Sequence, residues 1–283
     1  MAAYGRSPRF VQRWFVGATL VMLMAIGGVV ISARQTAPIY VYLAFTCGAV
    51  IWGWHMASYY LGYVTGPVTT LDEQANTRQR SWQPHEKQEK WYHFLFSQRF
   101  CLALRAGVYH ELLVLGFAVL LVSLTWAQPN RWGLWIFLTL WFMHSSAKLN
   151  VFLGVRNFRV DFLPSHLHFL KQLLGHRASN EFFPISICLA TSVLLILFYQ
   201  TILPGAGVTQ VIGATMVGTM ILLGIIEHWL LVLPLPAVLW GWGVRALPDQ
   251  QTHPGPRLTV PAVTGHNQNT PLQVIVVEQA SEG

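Results

Sequence analysis

The sequence predicts an all-α protein, a polytopic transmembrane bundle of six spans. Three observations carry this. Of the 283 residues, 53% are hydrophobic and only 10% charged, where a soluble domain carries about 25% charged residues. Six apolar runs each reach the roughly twenty residues that cross about 30 Å of hydrocarbon at 1.5 Å per residue. The basic residues also crowd onto one side of those runs.

Arg6, Arg9 and Arg13 mark residues 1–13 as a basic N-terminus, and Trp14 to Ala33 is the first span. The run is long for a signal peptide and no small-x-small site precedes Arg34, so it reads as an uncleaved helix. The second span runs from Pro38 to Val64, stopped at Gly66-Pro67 because proline cannot continue a helix and disfavours it in the residue before. Residues 65–105 turn polar and read as a loop, with a short interfacial helix expected over Glu86 to Phe100. The third span covers Ala106 to Ala127. The connection Gln128-Pro129-Asn130-Arg131 permits only a tight hairpin, so the fourth span, starting at Trp132, is expected beside the third and antiparallel to it. A mixed-charge loop, residues 154–182, leads to the fifth span, Pro184 to Leu203, which Pro204-Gly205-Ala206-Gly207 turns. The sixth runs from Val208 to Leu233. Pro234 and Pro236 then break the helix before a Trp240/Trp242 segment suited to an interfacial belt, closing a membrane body of residues 14–245. The tail, 246–283, is rich in Pro, Gly, Gln and Thr and reads as disordered, Leu272 to Val277 being the stretch suited to pairing as a strand with a partner.

Sixteen of the eighteen Lys and Arg residues fall on one side of these spans, leaving Arg34 and Arg131 on the other. The positive-inside rule therefore puts both termini and the loops 65–105 and 154–182 in the cytoplasm. The net charge of +7 is then a topology signal, and no nucleic-acid partner is expected. Cys47, Cys101 and Cys188 lie far apart without CxxC spacing, so neither a disulfide framework nor a zinc site is indicated.

With that topology, His55 falls late in the second span and His110-Glu111 early in the third. His144, Lys148 and Asn150 lie in the inner half of the fourth span, Glu227-His228 at the inner end of the sixth. Ionisable groups from four helices share the cytoplasmic third of the bilayer, where lone charges are costly and are expected to face protein partners or a cavity. Three readings compete. One is a structural network, with Glu111 or Glu227 pairing Lys148 and the histidines bonding nearby carbonyls. The second is a ligand site for a metallated tetrapyrrole or a metal ion, imidazole taking an axial position against Trp and Phe faces. The third is a membrane metal-dependent oxygenase or hydroxylase with a His-rich di-iron centre, acting in pigment or lipid biosynthesis. His166-x-His168 would add ligands to it, but no HxxxH or HxxHH cluster is present. His166, His168 and His176 otherwise suit an amphipathic cytoplasmic helix begun by Pro164.

The segments YLAFTCGAVIWGWHMASYYLGYVTGP (42 to 67), YHELLVL (109 to 115), LTWAQPNRWGLWIF (124 to 137), SAKLNVFLGVRNFRVDFLPSHLHFLK (146 to 171) and EHWLLVLPLP (227 to 236) resemble those of the photosynthetic complex assembly proteins of the PuhE type. That family is found beside photosynthetic reaction-centre and bacteriochlorophyll genes in purple and related bacteria. The resemblance spans roughly residues 40 to 243. It implies a bacterial cytoplasmic-membrane assembly factor, with no established reaction, whose partners are reaction-centre or light-harvesting subunits or pigment-synthesis enzymes. His110, Glu111, Lys148, Asn150, Arg156, Asn157, Glu227 and His228 match the family pattern. The chain departs from it at Met56, where members carry an acidic residue, in lacking a tryptophan-rich span before Trp14, and in the tail after Leu247.

The expected site is thus His55, His110, Glu111, His144, Lys148, Asn150, Glu227 and His228, contacting a bacteriochlorophyll or related tetrapyrrole. Arg156, Asn157, His166 and His168 are expected to meet the partner on the cytoplasmic side.

Overall fold

The computed structural model describes residues 8–65, 98–157 and 178–234, and all its regular elements are helices. They are α1 (Pro8–Ala33), α2 (Pro38–Leu61), α3 (Gln98–Thr125), α4 (Trp132–Leu153), α5 (Phe182–Ile202) and α6 (Val208–Val232). Each contains a span long and apolar enough to cross a bilayer, so the chain is a multi-pass membrane protein of the expected all-α class.

The ends differ from the sequence reading where helix outlasts hydrocarbon or a cap arrives early. α1 begins at Pro8, six residues before Trp14, because proline suits a first turn and arginines are tolerated beyond the apolar layer. α3 begins at Gln98 instead of Ala106, although its apolar span starts only at Gly107. The polar turns ahead of it are helical, not loop. α2 stops at Leu61 because Gly62 takes a left-handed φ of 71° and its N–H bonds the Ser58 and Tyr59 carbonyls, a glycine C-cap that pre-empts Gly66-Pro67. The loop portions 66–97 and 158–177, the Trp240/Trp242 segment and the tail lie outside the described residues.

α2 and α4 form the centre. α2 packs on α1, α3, α4 and α6, α4 packs on α2, α3, α5 and α6, and α5 pairs with α6. The expected α3–α4 neighbours do touch. Lipid tails are as apolar as Leu, so helices associate through close packing, which small residues permit. The α2–α4 crossing shows this: a Cβ on Gly48 would lie 2.3 Å from the Gly133 carbonyl oxygen and 2.5 Å from Ile136 Cγ2, and one on Gly133 would lie 2.9 Å from the Ala44 oxygen. α6 meets α4 likewise, Gly213 lying flat against the Trp132 ring. Ile51, Leu121, Ile136 and Phe137 fill the interior with no exposure. α5, by contrast, buries only Phe183 and Ser186 and turns Leu189, Leu195, Ile196 and Phe198 outward.

Polar ties gather at the two ends. At one, Asn130 in the α3–α4 turn donates its backbone N–H to Ala33 O (3.1 Å) and its Nδ2–H to Tyr40 O (3.0 Å), and its Oδ1 accepts the Trp132 N–H (3.2 Å). This joins the turn to the α1–α2 connection. The other end, where α2, α4 and α6 finish and α3 and α5 begin, holds the candidate site.

Candidate functional site

Two polar clusters flank the C-terminal half of α4. The first lies between α2, α3 and α4. Glu111 forms an ion pair with Lys148 through Oε1, and its Oε2 accepts the Trp141 indole N–H at 3.1 Å. Lys148 Nζ also stands 6.0 Å from the Tyr59 ring centre. Of the two carboxylates expected to compete for Lys148, the near one thus takes it.

Behind this pair lie two imidazoles. His55 is fully buried and His110 is 1% exposed, their ring centres 6.3 Å apart at 77°. His55 is walled by the rings of Phe117 at 4.5 Å, Trp54 at 5.2 Å and Phe137 at 5.8 Å. His110 Nδ1 stands 3.5 Å from the Thr65 hydroxyl, itself 3.3 Å from that of Ser58, and its ring meets Tyr59 at 4.8 Å. Among the described residues, His55 Nδ1, His55 Nε2 and His110 Nε2 find no hydrogen-bond partner, although buried polar atoms are almost always paired. His144 sits nearer the surface, half-buried. It approaches Trp52 edge-on at 5.6 Å and makes no hydrogen bond among the described residues.

The second cluster lies between α4, α5 and α6. His228 is buried, with Nδ1 2.7 Å from Gly224 O and Nε2 3.0 Å from Ser146 Oγ. A carbonyl only accepts, so Nδ1 carries the proton, and in the neutral ring Nε2 accepts from the Ser146 hydroxyl. Both nitrogens are thereby occupied. Asn150 donates Nδ2–H to Ser146 O and Ser186 Oγ, each at 3.1 Å, while its Oδ1 has no partner among the described residues. Glu227, one residue from His228 and so about 100° around the helix, is exposed. The eight residues of the expected site lie near the end of the bundle where α2, α4 and α6 finish, and of them His55, His110, Glu111, His144 and Lys148 are on the α2–α3 side of α4.

Arg156 is exposed, whereas Asn157 closes the end of α6. Its backbone N–H donates to Leu231 O at 3.0 Å and its Nδ2–H groups to the Leu230 oxygen at 2.7 Å and to that of Leu233, satisfying carbonyls a helix C-terminus otherwise leaves open. His166 and His168 lie outside the described residues.

Sequence reading missed Asn180. Its Oδ1 accepts the N–H groups of Phe182 and Phe183, each at 3.0 Å, and its Nδ2–H groups reach Asn150 O at 3.1 Å and Gly154 O at 3.0 Å. It therefore starts α5 and fastens that helix to the end of α4. An Asn shortly before Phe182-Phe183-Pro184 was the readable signal, an N-cap followed by a first-turn proline. Asn180→Ala should destabilise the protein by about 2 kcal/mol, the sum of a lost cap and two lost carbonyl ties. Asn180→Asp, which keeps the cap oxygen but sets a carboxylate oxygen against the Asn150 and Gly154 carbonyls, should lose at least as much. Unfolding midpoints in detergent check the order, and an alanine variant as stable as the parent would refute the fastening role.

Among the described residues no three His, Cys, Asp or Glu side chains converge to hold a metal ion, so they do not supply a di-iron donor set. The arrangement they do supply is a half-buried imidazole beside the Trp52 ring, with an ion pair and two enclosed imidazoles on the same side of α4.

Residues 2–251 match the family described as Protein of unknown function (DUF3623). An "Uncharacterized 30.4 kDa protein in puhA 5'region" of Rhodobacter capsulatus is 30% identical over 213 residues, covering 74% of this chain and 69% of that protein. No solved structure matches the chain.

Proposed function

This chain belongs to the DUF3623 family, and on that premise we propose that it is an assembly factor for the bacterial photosynthetic apparatus. It sits in the cytoplasmic membrane with both termini inside and contacts a bacteriochlorophyll, a related tetrapyrrole or a pigment-bearing subunit. The puhA-region address of its Rhodobacter capsulatus relative and the resemblance of residues 40 to 243 to assembly proteins encoded beside reaction-centre genes support the photosynthetic role. The basic-residue asymmetry supports the orientation.

The observation that carries the pigment contact is His144. Its imidazole is half-buried, makes no hydrogen bond among the described residues and lies against Trp52. A macrocycle metal needs an axial nitrogen reachable from the side and a flat apolar wall beside it. His55, enclosed by Phe117, Trp54 and Phe137, and His110, buried beside Tyr59, leave no such approach. The Glu111–Lys148 pair would offer charge to the polar substituents of the same guest, and exposed Arg156 would meet a partner's cytoplasmic face.

The purified protein incubated with bacteriochlorophyll should take it up and shift its absorption. His144→Ala should weaken binding by about tenfold or more, the scale of one lost coordinating or hydrogen-bonding contact. A protein that stays colourless in the presence of added pigment, or that binds it equally well without His144, would defeat the pigment contact.

A further inference from the structure

The enclosed imidazoles of His55 and His110 do not serve that contact, and apart from His110 Nδ1, which stands near Thr65, their nitrogens are unpartnered among the described residues. Four features bear on what they would accept. Three of their four ring nitrogens are without partners among the described residues, and both side chains are essentially unexposed. Their ring centres stand 6.3 Å apart. Two imidazoles sharing one metal ion are held about 6 Å apart, since each contributes a metal–nitrogen bond of about 2 Å and a ring radius of about 1 Å. No third His, Cys, Asp or Glu joins them among the described residues, and Glu111, next in sequence, is committed to Lys148 and Trp141. On the His55 side the wall is aromatic, Phe117 and Trp54 lying 4.5 and 5.2 Å from its ring centre, while the Thr65 hydroxyl stands beside His110 Nδ1.

A divalent ion suits this poorly: zinc asks for four donors and calcium or magnesium for six oxygens. A monovalent d10 ion is content with two donors in line and carries half the charge into an apolar interior. We propose that His55 and His110 hold one cuprous ion between α2 and α3. The site is distinct from the pigment contact at His144 and does not rest on it.

The test is anaerobic titration of the detergent-solubilised full chain with cuprous ion against a colorimetric cuprous chelator. The parent should take up one copper per chain. Losing a group that merely orients a ligand costs about 10–100-fold in affinity, so removing one of two ligands, in His55→Phe or His110→Phe, should cost more than about a hundredfold. Gly53→Ala, whose added carbon meets open space, should bind as the parent does. Should the phenylalanine variants fail to fold, copper-edge X-ray absorption of the loaded parent decides: two nitrogen neighbours near about 2 Å and no sulfur support the site. Sulfur scattering, which would point to Cys47, Cys101 or Cys188, overturns it. So do failure of the parent to take up copper, binding unchanged in both phenylalanine variants, and stoichiometric zinc uptake displacing copper.

Discussion

Gly48→Ala should abolish most of the folded protein, whereas Gly53→Ala, in the same helix, should leave it intact. The added carbon at position 48 would lie 2.3 Å from a backbone oxygen of α4 and 2.5 Å from Ile136 Cγ2, while nothing lies within 4 Å of one at position 53. A flexible side chain could swing away from such a contact. A carbonyl within a helix cannot, so α2 and α4 must separate and the packing around Ile51, Ile136 and Phe137 opens with them. Overpacking typically costs about 1–3 kcal/mol and more where backbone must move, and here it strikes the two helices with the most neighbours. Monodisperse yield and thermal unfolding in detergent measure the contrast. Equal behaviour of the two alanine variants would mean the helices do not cross at Gly48 and Gly133.

The second large effect concerns charge. Lys148→Met should destabilise by about 2–3 kcal/mol, at or below the low end for a broken buried pair, because the two side chains remain about a third exposed, at 38% and 32%. The loss comes mainly from the Glu111 carboxylate left facing apolar surroundings. Removing that carboxylate as well, in Lys148→Met with Glu111→Gln, should therefore recover stability, Gln still accepting the Trp141 N–H. A double-mutant cycle on unfolding free energy reads the coupling directly. Strictly additive losses would show that Glu111 and Lys148 do not act as a pair.

The six spans were legible because apolar length is a local property: each run declares itself without reference to its neighbours. Helix ends were less so. Gln98 and Pro8 extend their helices into polar sequence where hydropathy falls silent but backbone hydrogen bonding continues. Some neighbours could also be read, since Glu111 pairs with Lys148 as one of the two carboxylates expected to do so. Azimuth could not. Whether His228 shares a cluster with His144 depends on which side of α4 the sixth helix occupies, and that follows from contacts such as Gly213 on Trp132, made between segments far apart in sequence. The same holds for Asn180, whose cap was visible locally but whose ties to Asn150 and Gly154 were not.

The clasp of Asn157 on the end of α6, together with the Ser146–His228 contact, bears on how the chain is made. Both join α4 or its exit to a helix that leaves the ribosome some seventy to eighty residues later. A nascent chain paused after α5 holds Ser146 and Asn157 without their eventual acceptors. Synthesis of α6 is the event that supplies those acceptors, so these two contacts close only once the whole bundle has been made.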